Sequence, residues 1–110
     1  MKNLTVEEGK TAAIIAYITF VGAIIAFFMN QDSKNQFAAF HIRQAIGIHL
    51  LYFLFVVLVS GFNSWMISGA FYLVVFVLWI YGFIGAVRGE KVLIPFFGEY
   101  FQKWFKTFTE

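Results

Sequence analysis

The chain has 110 residues, of which 61% are hydrophobic and 13% charged, with no cysteine and a formal net charge of +2. A soluble domain of this size has too small an interior for so much apolar side chain, so the solvent is a bilayer. The missing thiols exclude disulfides, thiolate metal sites and cysteine nucleophiles. The weak positive balance suits anionic lipid headgroups rather than nucleic acid.

The first apolar stretch runs over about 11–29, close to the ~20 residues a helix needs to cross the hydrocarbon core. Glu7 and Glu8 precede it and no small-x-small cleavage pattern follows it, so it is expected to be a retained helix rather than a signal peptide. Ala12 and Ala16, and Gly22 and Ala26, are small residues four apart and form candidate helix-packing faces.

A polar connector, Asn30 to Asn35, follows. Ser33 with Gln36 matches a capping box, which predicts a helix start there. The second apolar stretch covers about 45–62, and a short uncharged connector joins it as an antiparallel hairpin to the third, about 65–87. No Asp, Glu, Lys or Arg occurs between Ile46 and Val87. The third stretch ends in a further small face, Gly82, Gly85 and Gly89, with Gly89 also placed to stop the helix.

Beyond Pro95, the residues Phe97, Tyr100, Phe101, Trp104, Phe105 and Phe108 recur at helical spacing, with Glu99, Gln102, Lys103 and Lys106 on the other face. This predicts an amphipathic helix over about 95–108 lying at the membrane surface. The expected fold is thus all-α: a polytopic membrane protein with three transmembrane helices and a C-terminal amphipathic interfacial helix, in one domain over 1–110.

Three spans put Lys34, Arg43, Arg88, Lys91, Lys103 and Lys106 on one side and only Lys2 and Lys10 on the other. Positive residues favour the cytoplasm, so the C-terminus is expected inside and the N-terminus outside.

The dense polar cluster at a membrane boundary is Phe40-His41-Ile42-Arg43-Gln44. Arg43 offers a forked donor for phosphate or carboxylate, and its other reading is a snorkelling anchor. His41, Arg43, Gln44, Arg88 and Lys91 are the candidate contacts for a partner protein or lipid. His49 lies well inside a span, where ionisable groups are functional candidates, though a hydrogen bond to a neighbouring helix also explains it. His41 and His49 are separated by ~12 Å along a helix and cannot share a metal from it. No phosphate loop, HExxH, GxSxG or pair of acids is present. Neither an enzyme site nor a cofactor is expected.

Three segments together resemble a widespread family of small bacterial membrane proteins related to the Tic-type import component of the chloroplast inner envelope. They are Gly9 to Asn30, the boundary motif Phe40 to Gly47 (FHIRQAIG), and Gly85 to Phe105 with Gly89, Pro95 and Gly98. The resemblance implies a shared structural or contact role for His41, Arg43 and Gln44. The expected function is that of a non-enzymatic accessory subunit of a larger complex in the bacterial inner membrane, one handling protein translocation or insertion. The alternatives are a homo-oligomeric channel or small-solute transporter, and a lipid-binding protein.

Overall fold

The computed structural model describes residues 2–106, the side chains of 2–7 and of Asp32 and Ser33 excepted. The described residues form five helices: α1 Lys2–Ile18, α2 Phe20–Ser33, α3 Gln36–Val59, α4 Trp65–Arg88 and α5 Gly98–Trp104. Two of them, α3 and α4, are long and apolar enough to cross a membrane. Each has 24 residues, or ~36 Å at ~1.5 Å per residue. They form the antiparallel hairpin expected from the short connector, with the Ser64 hydroxyl accepting the Ile67 N–H at the start of α4. At its far end Gly89 adopts φ 75°, a left-handed cap that stops the helix as its position suggested.

The first apolar stretch is not one span. It breaks at Thr19, whose backbone is extended while its hydroxyl accepts the Gly22 N–H at 2.9 Å. The chain then turns back, so that α2 returns alongside α1. A Cβ on Gly22 would collide with the Ile15 carbonyl, and one on Gly9 would collide with the Asn35 side chain. In a continuous helix, residues 9 and 35 would stand ~39 Å apart. The small residues explain the narrow turn. Ala12 and Ala16 of α1, and Gly22 and Ala26 of α2, are buried within the chain and let the helix backbones close on each other. Gly9 therefore sits at the same end of the bundle as the first connector. The expected topology, with the N-terminus opposite that connector and the C-terminus, does not hold.

The connector itself is a tight turn. The Asn35 N–H donates to Asn30 Oδ1 at 3.0 Å, and Asn30 Nδ2 donates back to the Asn35 carbonyl at 3.1 Å. Asn35 is also the N-cap of α3, accepting the Ala38 N–H at 2.9 Å. It takes the place expected of Ser33, whose side chain lies outside the described residues. Gln36 points outward and is exposed.

The C-terminal segment does not lie free on the membrane surface. After Gly89 the chain runs without helix along α3. Pro95, Phe96 and Phe97 then share a cleft with Leu73, Val74, Val77 and Leu78, well inside α4. Leu78 is ~15 Å from the Arg88 end of the helix. The chain turns at Phe96 (φ 68°) and α5 climbs back. The Phe101 ring lies on Gly47, where a Cβ would occupy the same space. The predicted amphipathic helix is thus shorter, and its aromatic face is divided: Phe101 is buried and Phe97 and Phe105 are half-buried, while Tyr100 and Trp104 stay exposed. Phe108 lies outside the described residues.

Two re-entrant elements, α1–α2 and the 90–106 segment, therefore enter from one end of the α3–α4 hairpin. Nearly all of the buried side chains lie in that half. In α3 beyond His49 and in α4 before Val77, only Val59 and Val75 are buried.

Candidate functional site

Re-entrant backbone poses a problem in hydrocarbon, because peptide groups outside a helix find no water there. Side chains from the neighbouring helices solve it here. The limb after Gly89 hangs on the boundary motif. His41 Nε2–H donates to the Glu90 carbonyl at 2.7 Å, and Gln44 Oε1 accepts the Ile94 N–H at 2.7 Å. The carbonyl partner sets the His41 tautomer, leaving Nδ1 to accept the Tyr17 hydroxyl at 2.6 Å. Tyr17 Oη in turn accepts Gln44 Nε2–H at 3.0 Å. Tyr17, His41 and Gln44 are fully buried. Their chain of directed bonds ties α1, α3 and the re-entrant limb together.

The same device closes the N-terminal hairpin. Helix α1 ends at Ile18, leaving its last carbonyls without intrahelical donors. His49 Nε2–H donates to the Ala16 carbonyl at 3.0 Å, and Trp79 Nε1–H to the Tyr17 carbonyl at 2.6 Å. His49 thus caps a helix end from the adjacent α3. The small residues of α4 serve the network. Gly82 receives the Tyr17 ring, while Gly85 receives Val92, the Glu90 carbonyl and the edge of His41.

The candidate contact residues separate accordingly. His41 and Gln44 face inward and present nothing to a headgroup or partner. Arg43, half-buried, points the other way and donates from Nη1 to Gln102 Oε1 at 3.2 Å, while Gln102 Nε2–H holds the Phe40 carbonyl at 2.9 Å. Arg43 and Lys91 line one groove of about 420 Å³ together with Lys34, Gln36, Ala39, Phe40 and Lys106. Arg88 lies apart, in a smaller cleft with Ile80, Tyr81 and Glu90. Lys34 and Lys106 were absent from the sequence-derived set. Their distance in sequence from Arg43 hid them, and only the folding back of α5 brings Lys106 over α3. Tyr17 carries no sequence signal beyond being a polar-tipped ring in an apolar run.

The groove is cationic: Lys34, Arg43, Lys91 and Lys106 converge on it, and among the described residues no acid lines it. Lys34, Lys91 and Lys106 are exposed. It opens where α3 begins, the positive end of that helix. Such an arrangement concentrates anions, with Arg43 supplying a fork for phosphate oxygens and the lysines supplying mobile point charges. Among the described residues, no three His, Asp or Glu side chains gather to hold a metal.

Residues 8–101 match the model of the MamF/MmsF family, described as magnetosome magnetite crystal formation proteins. Similar sequences include two UPF0132 membrane proteins of Methanocaldococcus jannaschii. One is 28% identical over 103 residues, covering 93% of this chain and 92% of its own. The other is 26% identical over 100 residues, covering 88% of this chain and 70% of its own. No solved structure matches. These matches overturn the resemblance to the Tic-type import family. The boundary motif and the closing Gly89, Pro95 and Gly98 that suggested it lie inside the region matched by MamF/MmsF. The translocation role that rested on that resemblance goes with it.

Proposed function

The chain belongs to the MamF/MmsF family, and from its site we propose that it is a non-enzymatic integral membrane protein that gathers anionic lipid headgroups at one membrane face. The observation that carries this reading is the cationic groove over the start of α3. By chain position, all eight Lys and Arg residues fall at the end of the bundle where Gly9 meets Asn35 and α4 stops. The turn at 60–64 carries no charge. Under the positive-inside rule the charged end is cytoplasmic. Both termini are then cytoplasmic, and the 60–64 turn faces outward. Polybasic surfaces at this depth attract anionic lipids with ~1 kcal/mol per basic residue.

The family description refers to magnetite crystal formation. A groove lined by Lys34, Arg43, Lys91 and Lys106 repels iron cations. At this groove, a part for the chain in mineral formation would therefore act through the membrane and its lipids rather than by ligating metal. Association with further copies or with a larger membrane assembly fits the same role.

The test is native mass spectrometry of protein purified in mild detergent, comparing wild type with Lys34→Ser/Lys91→Ser/Lys106→Ser. The wild type should retain phosphatidylglycerol or cardiolipin, and the variant should lose most of it. Added inorganic phosphate should compete only weakly if the acyl chains contribute. Equal lipid retention by both proteins would sink the reading.

A further inference from the structure

The two halves of the bundle have very different cross-sections. In the charged half, α1, α2, α3, α4, the extended 90–94 limb and α5 lie side by side. Beyond the Thr19 turn and the Phe96 turn, only α3 and α4 continue among the described residues. The depth of the N-terminal wedge can be read from its tip. Phe20 packs on His49 and Phe53 of α3, at ring centroid distances of 6.1 and 5.4 Å. His49 lies just past the middle of α3, which runs from 36 to 59, and Phe53 lies ~6 Å further along it. The C-terminal wedge reaches Val77 and Val74, likewise near the middle of α4. Both elements therefore end near the midplane of any bilayer that α3 and α4 cross.

We infer that the protein is a membrane wedge that generates and favours curvature in which the leaflet on its charged face is convex. Each helix, ~10 Å across, occupies roughly 80 Å² of the leaflet plane. The three extra helices and the limb thus displace roughly 250 Å² more lipid in one leaflet than in the other. The bundle cannot relax this asymmetry cheaply, because its packing is concentrated in the wide half. The re-entrant elements are pinned there by Trp79 and His49 at one turn and by His41 and Gln44 on the other limb. Their own backbones could not reach the far surface. Residues 20–33 return as soon as the first turn is made, and α5 returns likewise. In the orientation proposed above, the favoured shape is a membrane drawn toward the cytoplasm. The inference itself depends only on the shape of the chain, not on the lipid reading of the groove.

The experiment uses the full chain in vesicles of phosphatidylcholine alone, so that no anionic lipid engages the groove. A fluorophore is placed at Asn63→Cys, and protein density per lipid is measured across vesicles from strongly to weakly curved. Orientation is resolved by an impermeant quencher. Molecules with the charged end outward should be enriched several-fold in the most curved vesicles, and molecules with the charged end inward should be depleted there. The two orientations serve as each other's control, since insertion efficiency and folding affect both alike. Densities independent of curvature, enrichment in both orientations, or the opposite preference would each overturn the inference.

Discussion

Gln44 Oε1 accepts the Ile94 N–H at 2.7 Å, joining residues 50 positions apart at a depth where water is scarce. That bond makes the boundary motif an internal brace for a re-entrant limb.

Gln44→Leu should be strongly destabilising. It leaves the Ile94 N–H without its acceptor and removes the donor to the Tyr17 hydroxyl. Each buried polar group left unmade costs ~1–3 kcal/mol. Denaturation in detergent micelles should show a clear fall in midpoint relative to wild type. A midpoint within error of wild type would mean that the limb is solvated and the brace is idle.

Gly47→Leu should displace α5, because the Phe101 ring occupies the space its side chain needs. Proteolysis near Lys103 should accelerate. Combining it with Phe101→Ala should restore part of the protection, since the second change makes room for the first. Strict additivity of the two would show that the residues do not touch.

Topology is tested by single cysteines in this cysteine-free chain, at Glu8, Gln31, Lys103 and Asn63. An impermeant thiol reagent should label the first three from one side and Asn63→Cys from the other. Labelling of Glu8→Cys together with Asn63→Cys would restore a spanning first segment and dissolve the hairpin at Thr19.

Trp79→Phe keeps the aromatic bulk but removes the donor to the Tyr17 carbonyl. Stability should fall by ~1–2 kcal/mol, the cost of one unmet buried acceptor. Thr19→Ala should cost about 1 kcal/mol through loss of its N-cap bond to Gly22. The two effects should interact, because both groups hold the same turn; a double variant equal to the sum of the singles would place them in separate structures.

Composition and periodicity were enough to establish a membrane protein of helices, with α4 close to where its apolar run begins and ends, α3 starting nine residues before its own run near the capping signal, and the turn between them. Those features are local: a long apolar run without charge has few other ways to satisfy its backbone in lipid. The small residues of the first stretch were also visible as a packing face. What they pack against was not. Hydropathy is the same whether a stretch of this length crosses once or folds back, and the outcome at Thr19 depends on donors from His49 and Trp79, which lie 30 and 60 positions further along the chain. The charge count misled the topology for this reason, since its parity assumed a crossing. The boundary motif could be located but its role could not, because the direction in which His41 and Gln44 point follows from the limb they hold. Lys106 reaches the groove only because α5 folds onto Gly47. The sequence by itself determined which solvent the chain occupies and where helices form; tertiary structure decided which apolar segments cross, because that choice rests on hydrogen bonds and close packing between residues far apart in the chain.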